Sequence, residues 1–271
     1  MDGQITTPPD WVLDLIHVGA AGHGRSQQRH IGPSEVGTPC RRQLAYKLLE
    51  APEVPGSGYN DPLPSSVGTG AHAEFEEFAR RYNQHIGHPV LLPEFRVEVR
   101  PGLSGTCDLF HMPSGTVLDW KFPGTSSHTK YKRSGPSAVY RTQAHLYGRG
   151  MIRAGFEVNA VSIAFLPRGG ELKGLAYWTE PYSDAVVDAA LDRIDQTLVD
   201  LDIMGALDHP ERIRDGWTEG GVNVAEPIDA DYSACFLCPF QALPATDLDA
   251  APWACPGKPR EPDSISRLSV A

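Results

Sequence analysis

Two short segments of the chain carry residues able to do chemistry together: Gly105-Thr106-Cys107-Asp108 and Asp119-Trp120-Lys121. The turn residues Met112-Pro113-Ser114-Gly115 lie between them, so the spacing predicts a β-hairpin. With an even-numbered loop His111 pairs with Thr116, and the same register sets Asp108 opposite Asp119. Cross-strand partners share a face with Cβ atoms about 5 Å apart, a span that one divalent cation can bridge. Lys121 follows Asp119 by two residues and therefore projects from the same face. Facing carboxylates repel unless a cation or a proton intervenes. Mg2+ or Mn2+ resolves that repulsion, because these hard ions prefer oxygen ligands and keep several waters. A bound ion acidifies water and polarises phosphate, while Lys121 orients the attacking water or helps deprotonate it; the chemistry this suits is phosphodiester hydrolysis. The alternative is a pair of exposed strand-end aspartates near a lysine, since so short a pattern recurs by chance.

Sulfur supplies the second group. Five cysteines in a chain without a secretory leader do not point to a disulfide framework. Cys235-Phe236-Leu237-Cys238 is a C-x-x-C pair whose short turn lets two thiolates reach one metal centre from the same side. A four-thiolate site needs one more late cysteine and one distant one, which Cys255 and Cys40 supply. Cys107 alternates with Asp108 on its strand, so its side chain is expected to point away from the metal and into the core.

The elements that must position these groups are legible in outline. Trp11 to Ala20 reads as a short amphipathic helix, and CRRQLAYKLL, from Cys40, places apolar residues at 44, 45, 48 and 49 with helical spacing. Residues 51 to 70 hold four Pro and four Gly and read as an irregular loop. The next helix puts Phe75, Phe78, Tyr82 and Ile86 on one face, with His72 in its first turn. Phe95, Val97 and Val99 alternate with charges in a strand, and residues 103–110 and 116–122 form the hairpin. A helix from Ser137 to Ile152, strands over 160–167 and 172–180, and a helix from Asp184 to Leu207 with Val187, Leu191, Ile194, Leu198 and Leu201 on one face complete the order α, β, β, β, α, β, β, α. Residues 257–271 read as a frayed tail.

With 271 residues, 41% apolar, the chain has material for one substantial core. No apolar run approaches the ~18 residues that span a bilayer, and the start MDGQITTPPD has neither a basic nor an apolar leader region. The expectation is a cytoplasmic protein with no membrane span. The net charge of −10 argues against nucleic acid as a partner, but the average hides an asymmetry. From Trp120 to Phe156 there is no Asp or Glu, while Lys121, Lys130, Lys132, Arg133, Arg141, Arg149 and Arg153 supply positive charge. Such a stretch is either a solvated face or a phosphate-binding surface.

Taken in order, these segments resemble the PD-(D/E)XK nucleases, and within them the RecB-type exonucleases, including the CRISPR-associated iron–sulfur exonucleases and the AddB nuclease domain. The resemblance is carried by Cys40, Gly70-Ala71-His72, Gly105 to Asp108, Asp119 to Lys121, Gln143-Ala144-His145-Leu146-Tyr147, then Cys235, Cys238 and Cys255, covering about residues 34 to 256. It implies that His72 joins Asp108, Asp119 and the backbone carbonyl of Trp120 as a ligand of Mg2+ or Mn2+. It also implies that Gln143 and Tyr147, one helical turn apart, touch DNA or support the catalytic groups. The four cysteines correspond to the family's 4Fe-4S ligands; the 16 residues between Cys238 and Cys255 are a longer interval than the family's, and a four-cysteine zinc site is the alternative.

The fold expected from the resemblance is an α/β restriction-endonuclease-like core, with a central mixed sheet flanked by helices and an iron–sulfur clamp joining the N- and C-terminal segments. A single domain over 1–271 divides into an appendage (1–30), a clamp (31–50 and 226–256), a nuclease core (66–225) and the tail. The expected activity is metal-dependent exonucleolytic hydrolysis of DNA, on single strands or ends, in recombination, repair or replication. The acid-free stretch starts at Lys121, which favours reading Lys130, Lys132, Arg133, Arg141, Arg149 and Arg153 as phosphate contacts, with Trp120, Tyr131 and Tyr140 available for stacking or for the core. Arg outnumbers Lys 18 to 6, which suits a stand-alone enzyme of a GC-rich genome such as an actinobacterial phage. Within enzymes the alternative is an endonuclease or CRISPR spacer-processing subunit; outside them it is a non-catalytic iron–sulfur DNA-binding or scaffold protein. Proteins of recombination or replication are the partners that the resemblance implies, and the oligomeric state is left open.

Overall fold

The computed structural model describes residues 10–21, 30–58, 61–243, 246 and 251–257. Its central sheet has five strands in the order β1 (Leu91–Arg100), β2 (Leu103–His111), β3 (Thr116–Lys121), β4 (Ala160–Phe165) and β5 (Ala176–Pro181). β3 and β4 run parallel and the other neighbours antiparallel, so the sheet is mixed. A parallel pair needs a crossover, and this one holds α5 (Thr125–Ser134) and α6 (Ala138–Arg153). Before the sheet come α1 (Asp10–Ala21), α2 (Pro33–Val36), α3 (Arg41–Leu48) and α4 (Leu63–Ile86); after it come α7 (Asp184–Met204), α8 (Arg212–Asp215) and a small hairpin of β6 (Trp217–Glu219) and β7 (Val222–Ala225). Among the described residues no helix is long and apolar enough to cross a membrane.

The β2–β3 register is the one the even loop requires: Leu109 lies opposite Leu118, Phe110 opposite Val117 and His111 opposite Thr116. Gly115 closes the turn at φ +62°, and a Cβ there would fall 2.6 Å from the Glu157 carbonyl oxygen, so only glycine fits. α6 covers one face of the sheet, burying Ala144, Tyr147 and Met151 against Phe110, Val117, Val161, Ile163 and Phe165. It packs through glycines at two points, Gly148 against the Tyr182 ring and Gly150 against Val97 of β1. On β3, Trp120 alternates with Asp119 and Lys121 and meets Phe75 of α4 with ring centroids 4.9 Å apart.

Packing divides the chain into two compact units. One comprises the described residues up to Gly37 together with 61–192 and holds the five-stranded sheet. The other comprises the described parts of 38–60 and 193–271. Its core gathers Ala45, Tyr46, Leu201, Met204, Ile213, Ile228 and Phe240, with the Tyr46 and Phe240 rings 5.2 Å apart. α3 is anchored there by Arg42, whose N–H groups reach the Asp229 and Ile228 carbonyls, and by Arg41, which pairs with Asp200. Residues 193–225, part of the expected nuclease core of 66–225, lie by packing in the same unit as the cysteine-bearing segments.

Several local expectations are corrected. α4 begins at Leu63, because Pro64 sits in its first turn where the missing N–H costs nothing, so the end of the expected loop is helical and His72 is mid-helix. Phe78 and Tyr82 are exposed and Ala79 is the buried residue of that helix. α5 is a helix between Gly124 and Gly135 that no expectation included, because its TSSHTKYKRS sequence lacks apolar periodicity. On α7 Leu198 is exposed and Thr197 is buried, its hydroxyl donating to the Arg193 carbonyl. The strand expected from 172 begins at Ala176, after a 3-10 turn at Leu172–Gly174. The tail expected from 257 lies, beyond Gly257, outside the described residues.

The Gly150 contact is testable. Alanine gains about 1 kcal/mol of helix propensity over glycine, but its Cβ would fall 2.6 Å from the Cβ of Val97, which is fixed to the strand. Overpacking of this kind costs about 1–3 kcal/mol. Gly150→Ala is expected to lower stability by about 1 kcal/mol in urea denaturation, and an increase would show that α6 does not lie this close to β1.

Candidate active site

β2 and β3 separate after the Leu109–Leu118 pair, and Asp108 and Asp119 stand at that fork. Instead of a further ladder bond, the Trp120 N–H donates to Asp108 Oδ2 at 2.8 Å. Asp119 is 1% exposed. Gln143 Nε2 donates to its Oδ1 at 2.9 Å, and Lys121 Nζ lies 2.5 Å from its Oδ2. Burial pushes the Asp119 carboxyl up to about 6; the Lys121 ammonium opposes the rise and the Asp108 charge adds to it. Burial alone would lower the Lys121 ammonium, but Asp119 and Asp108 outweigh it and hold the pKa above its ordinary value. The ammonium also sits 4.8 Å from the centroid of the Tyr140 ring.

His72 reaches this place from α4, with Nδ1 3.4 Å from Asp108 Oδ2 and its ring edge-on to Phe122. A residue absent from the sequence reading joins it: one ligand atom each from His72, Glu94 and Asp108 lie within 4.8 Å of one another. Two carboxylates and an imidazole at that spacing suit a small divalent ion, and Asp119 adds a third carboxylate at the fork. Gln143 and Tyr147 are both buried; Gln143 Nε2 also lies 3.3 Å from the Tyr147 hydroxyl. Cys107 is buried in the core, donating to the Leu109 carbonyl.

The basic stretch is distributed differently from the expectation. Arg141 pairs with Glu180 at 2.5 Å, Arg149 with Asp184 and Asp188, and Arg153 with Glu98. An interval without acids in the sequence is answered by acids of β1, β5 and α7 in space, so these three arginines are spent within the fold. Lys130, Lys132 and Arg133 are exposed on α5. Tyr131 stacks on Phe165 at 4.7 Å, and Tyr140 lies 5.6 Å from Tyr131, so both pack against the core.

In the other unit, Cys40, Cys235, Cys238 and Cys255 line one cavity. Cys40 caps α3, its sulfur accepting from the Gln43 N–H at 3.4 Å, and Arg42 Nη1 lies 3.6 Å from Cys255 Sγ. The long interval before Cys255 is closed by a bridge in which the Cys255 N–H donates to the Phe240 carbonyl at 2.8 Å and its carbonyl accepts from Ala242 at 2.7 Å. Burial, and then the neighbouring sulfurs, push the Cys238 thiol up to about 11 despite a backbone hydrogen bond at Phe240.

No family model and no curated protein matches this sequence. Solved structures with a similar fold include an alkaline exonuclease, LHK-Exo, from Laribacter hongkongensis, with 14% identity and a TM-score of 0.47 over 69% of this chain and 94% of that one. The complex of LHK-Exo with dAMP gives 15% and 0.46, over 73% and 96%. A phage-related exonuclease from Haemophilus somnus 129PT gives 14% and 0.35, over 64% and 95%.

A second cluster on α6 makes a pH prediction. His145 is fully buried; its Nδ1 accepts from the Ser183 N–H at 3.2 Å, so the ring proton is on Nε2, which donates to Glu180 at 2.6 Å. Burial lowers the His145 pKa below 6.5 even though Glu180 opposes the shift. The unfolded chain then takes up the proton first, so stability is present above pH 6.5 and is lost as pH falls through the folded value. Glu180, which burial alone would raise but His145 and Arg141 hold below 4.5, adds a further loss at lower pH. In urea denaturation the protein is expected to weaken as pH falls below about 6.5, and His145→Gln, which retains an acceptor and a donor, to weaken less. Equal slopes would remove His145 from the pH dependence.

Proposed function

We propose that the chain is a divalent-metal-dependent deoxyribonuclease, acting as an exonuclease on single-stranded DNA or DNA ends. One observation carries this reading: His72, Asp108, Asp119 and Lys121, from two strands and a helix, converge at one buried fork. Like-charged carboxylates beside a buried ammonium are costly to assemble for stability alone. His72, Asp108, Asp119 and the Trp120 carbonyl are the groups that would hold Mg2+ or Mn2+. Such an ion supplies an acidified water and a polarised phosphate.

The chain's own residues have distinct tasks. The Lys121 ammonium, anchored by Asp119 and kept charged by the two carboxylates, orients the attacking water and stabilises charge on the phosphate. Gln143 fixes the Asp119 carboxylate and Tyr147 backs Gln143. Lys130, Lys132 and Arg133 offer exposed positive charge just after the strand that carries Lys121, where a DNA backbone can be held. The order of the motifs extends the proposal to RecB-type end processing in recombination, repair or replication.

The four cysteines are proposed to hold a 4Fe-4S cluster. Their common cavity, with N–H donors at Cys40 and Cys255, fits a thiolate-bound group, which when present joins chain segments about 195 residues apart within one unit. A zinc ion is the other group that four thiolates accept.

The nuclease reading is tested with end-labelled linear and circular DNA, single- and double-stranded, in Mg2+ or Mn2+. Asp108→Ala, Asp119→Ala and Lys121→Ala are each expected to lower hydrolysis by at least about 10²-fold with unchanged circular dichroism. Cleavage retained in Asp119→Ala would sink the mechanism, and cutting of circular single strands would make the enzyme an endonuclease.

The cluster is tested separately. Protein purified without air is expected to be brown with iron and sulfide bound, and Cys40→Ala to lose colour and thermal stability together, because cluster binding energy is also folding energy. Cys107→Ala should keep the colour. A colourless protein with one zinc per chain would replace the cluster by zinc.

A further inference from the structure

We infer that Glu94 is a ligand of the same divalent ion, held in place by a backbone conformation that the fold maintains for this purpose; the inference rests on the metal-dependent reading of the fork. Along β1 and β2 the pairing runs from Leu91 opposite His111 to Pro93 opposite Leu109 and resumes at Phe95 opposite Cys107. The positions passed over are Glu94 and Asp108. Glu94 has φ +47°, in the left-handed region that residues with a Cβ rarely adopt. The consequence is visible in the packing. Leu92 and Phe95, three residues apart, both lie against the same core, as do Phe110 and Cys107 on β2, whereas an unbroken strand would send each pair to opposite faces.

Both strands therefore interrupt their alternation at one point, and at that point two carboxylates are brought to within 4.8 Å of each other and of His72. Glycine or asparagine would accept this φ at little cost, yet a glutamate occupies it, adding charge repulsion with Asp108 to the backbone strain. A divalent cation turns the repulsion into coordination: an imidazole nitrogen and two carboxylate oxygens from three elements, with further positions left for water and a phosphate oxygen. The loss of one such donor should weaken the ion while relieving the protein.

The experiment is titration of the full-length protein with Mn2+ in the absence of DNA, read by the electron paramagnetic resonance of free Mn2+, beside melting of the protein freed of divalent ions by chelation. Glu94→Gln keeps the shape and removes the charge; it is expected to weaken Mn2+ binding by about tenfold or more without lowering the ion-free melting temperature. Glu94→Gly is expected to weaken Mn2+ equally and to raise that temperature, because glycine adopts this φ without a Cβ. Glu98→Gln, on the same strand, is expected to bind Mn2+ as the wild type does. Wild-type Mn2+ affinity in Glu94→Gln overturns the assignment, whether or not Glu94→Gly folds, as does a lower ion-free melting temperature in Glu94→Gln, which would mark a structural role. Loss of Mn2+ affinity in a protein that cuts no DNA supports the ligand and removes the nuclease reading; DNA cutting with unchanged Mn2+ affinity in Glu94→Gln does the reverse.

Discussion

The strand-rich unit depends on one electrostatic constraint: Asp119 must remain a useful carboxylate while almost wholly out of water. Burial raises its carboxyl to about 6 even with the Lys121 ammonium opposing the shift, so without that partner it would rise further and hold a proton more readily. Lys121 and Gln143 each occupy one of its oxygens, and beside it the Trp120 N–H donates to Asp108 Oδ2, the oxygen that His72 also approaches. Those donors come from β3, α4 and α6, so the constraint reaches into three elements. Glycine at 150 leaves room for Val97 of β1 against the helix, and from the same helix the Gln143 amide meets Asp119.

The same helix shows how charge is used elsewhere. Its outer arginines meet Glu180, Asp184, Asp188 and Glu98, and its buried His145 shares Glu180 with Arg141. Exposed pairs of this kind contribute little to stability individually, but they fix where positive potential is left over. What remains outward on this side of the chain is α5, an apolar-poor helix attached through Tyr131 to Phe165 and carrying Lys130, Lys132 and Arg133 on its exposed surface. A phosphate backbone is drawn to charge that the protein has not already neutralised.

The cysteine-bearing unit follows a different rule. Its apolar core is built from α3, the end of α7 and the segments after it, and Cys238 and Cys255 are set into that core. Buried thiols resist ionisation, as the rise at Cys238 shows. A hydrogen bond from Arg42 reaches the Cys255 sulfur and one from the Gln43 N–H reaches that of Cys40. The same arginine holds the Ile228 carbonyl, so the sulfur cavity and the packing of α3 share one side chain.

Much of this was legible in the chain because it is local. The Met112–Gly115 turn is enough to set the register that runs from His111 opposite Thr116 to Leu109 opposite Leu118 and leaves Asp108 and Asp119 next to each other at its end, since a hairpin's pairing is decided by its own loop. Helical spacing is likewise enough to put Gln143 and Tyr147 together. Charge balance and Glu94 were not legible, and for physical reasons. The partners of Arg141, Arg149 and Arg153 lie 35 or more residues away in the chain, so no short window of sequence contains both members of a pair. For Glu94, the turn at Pro101-Gly102 pairs Arg100 with Leu103, a register that would set Phe95 opposite Asp108. A bulge between Glu98 and Arg100 shifts the pairing by one residue and brings Glu94 there instead. Local sequence thus determined which residues can do chemistry and how the central hairpin presents them, whereas the third carboxylate at the fork was decided by a single residue slipped into the β1 ladder, because a slip of one position exchanges the faces of a strand and only packing of the whole sheet selects which face wins.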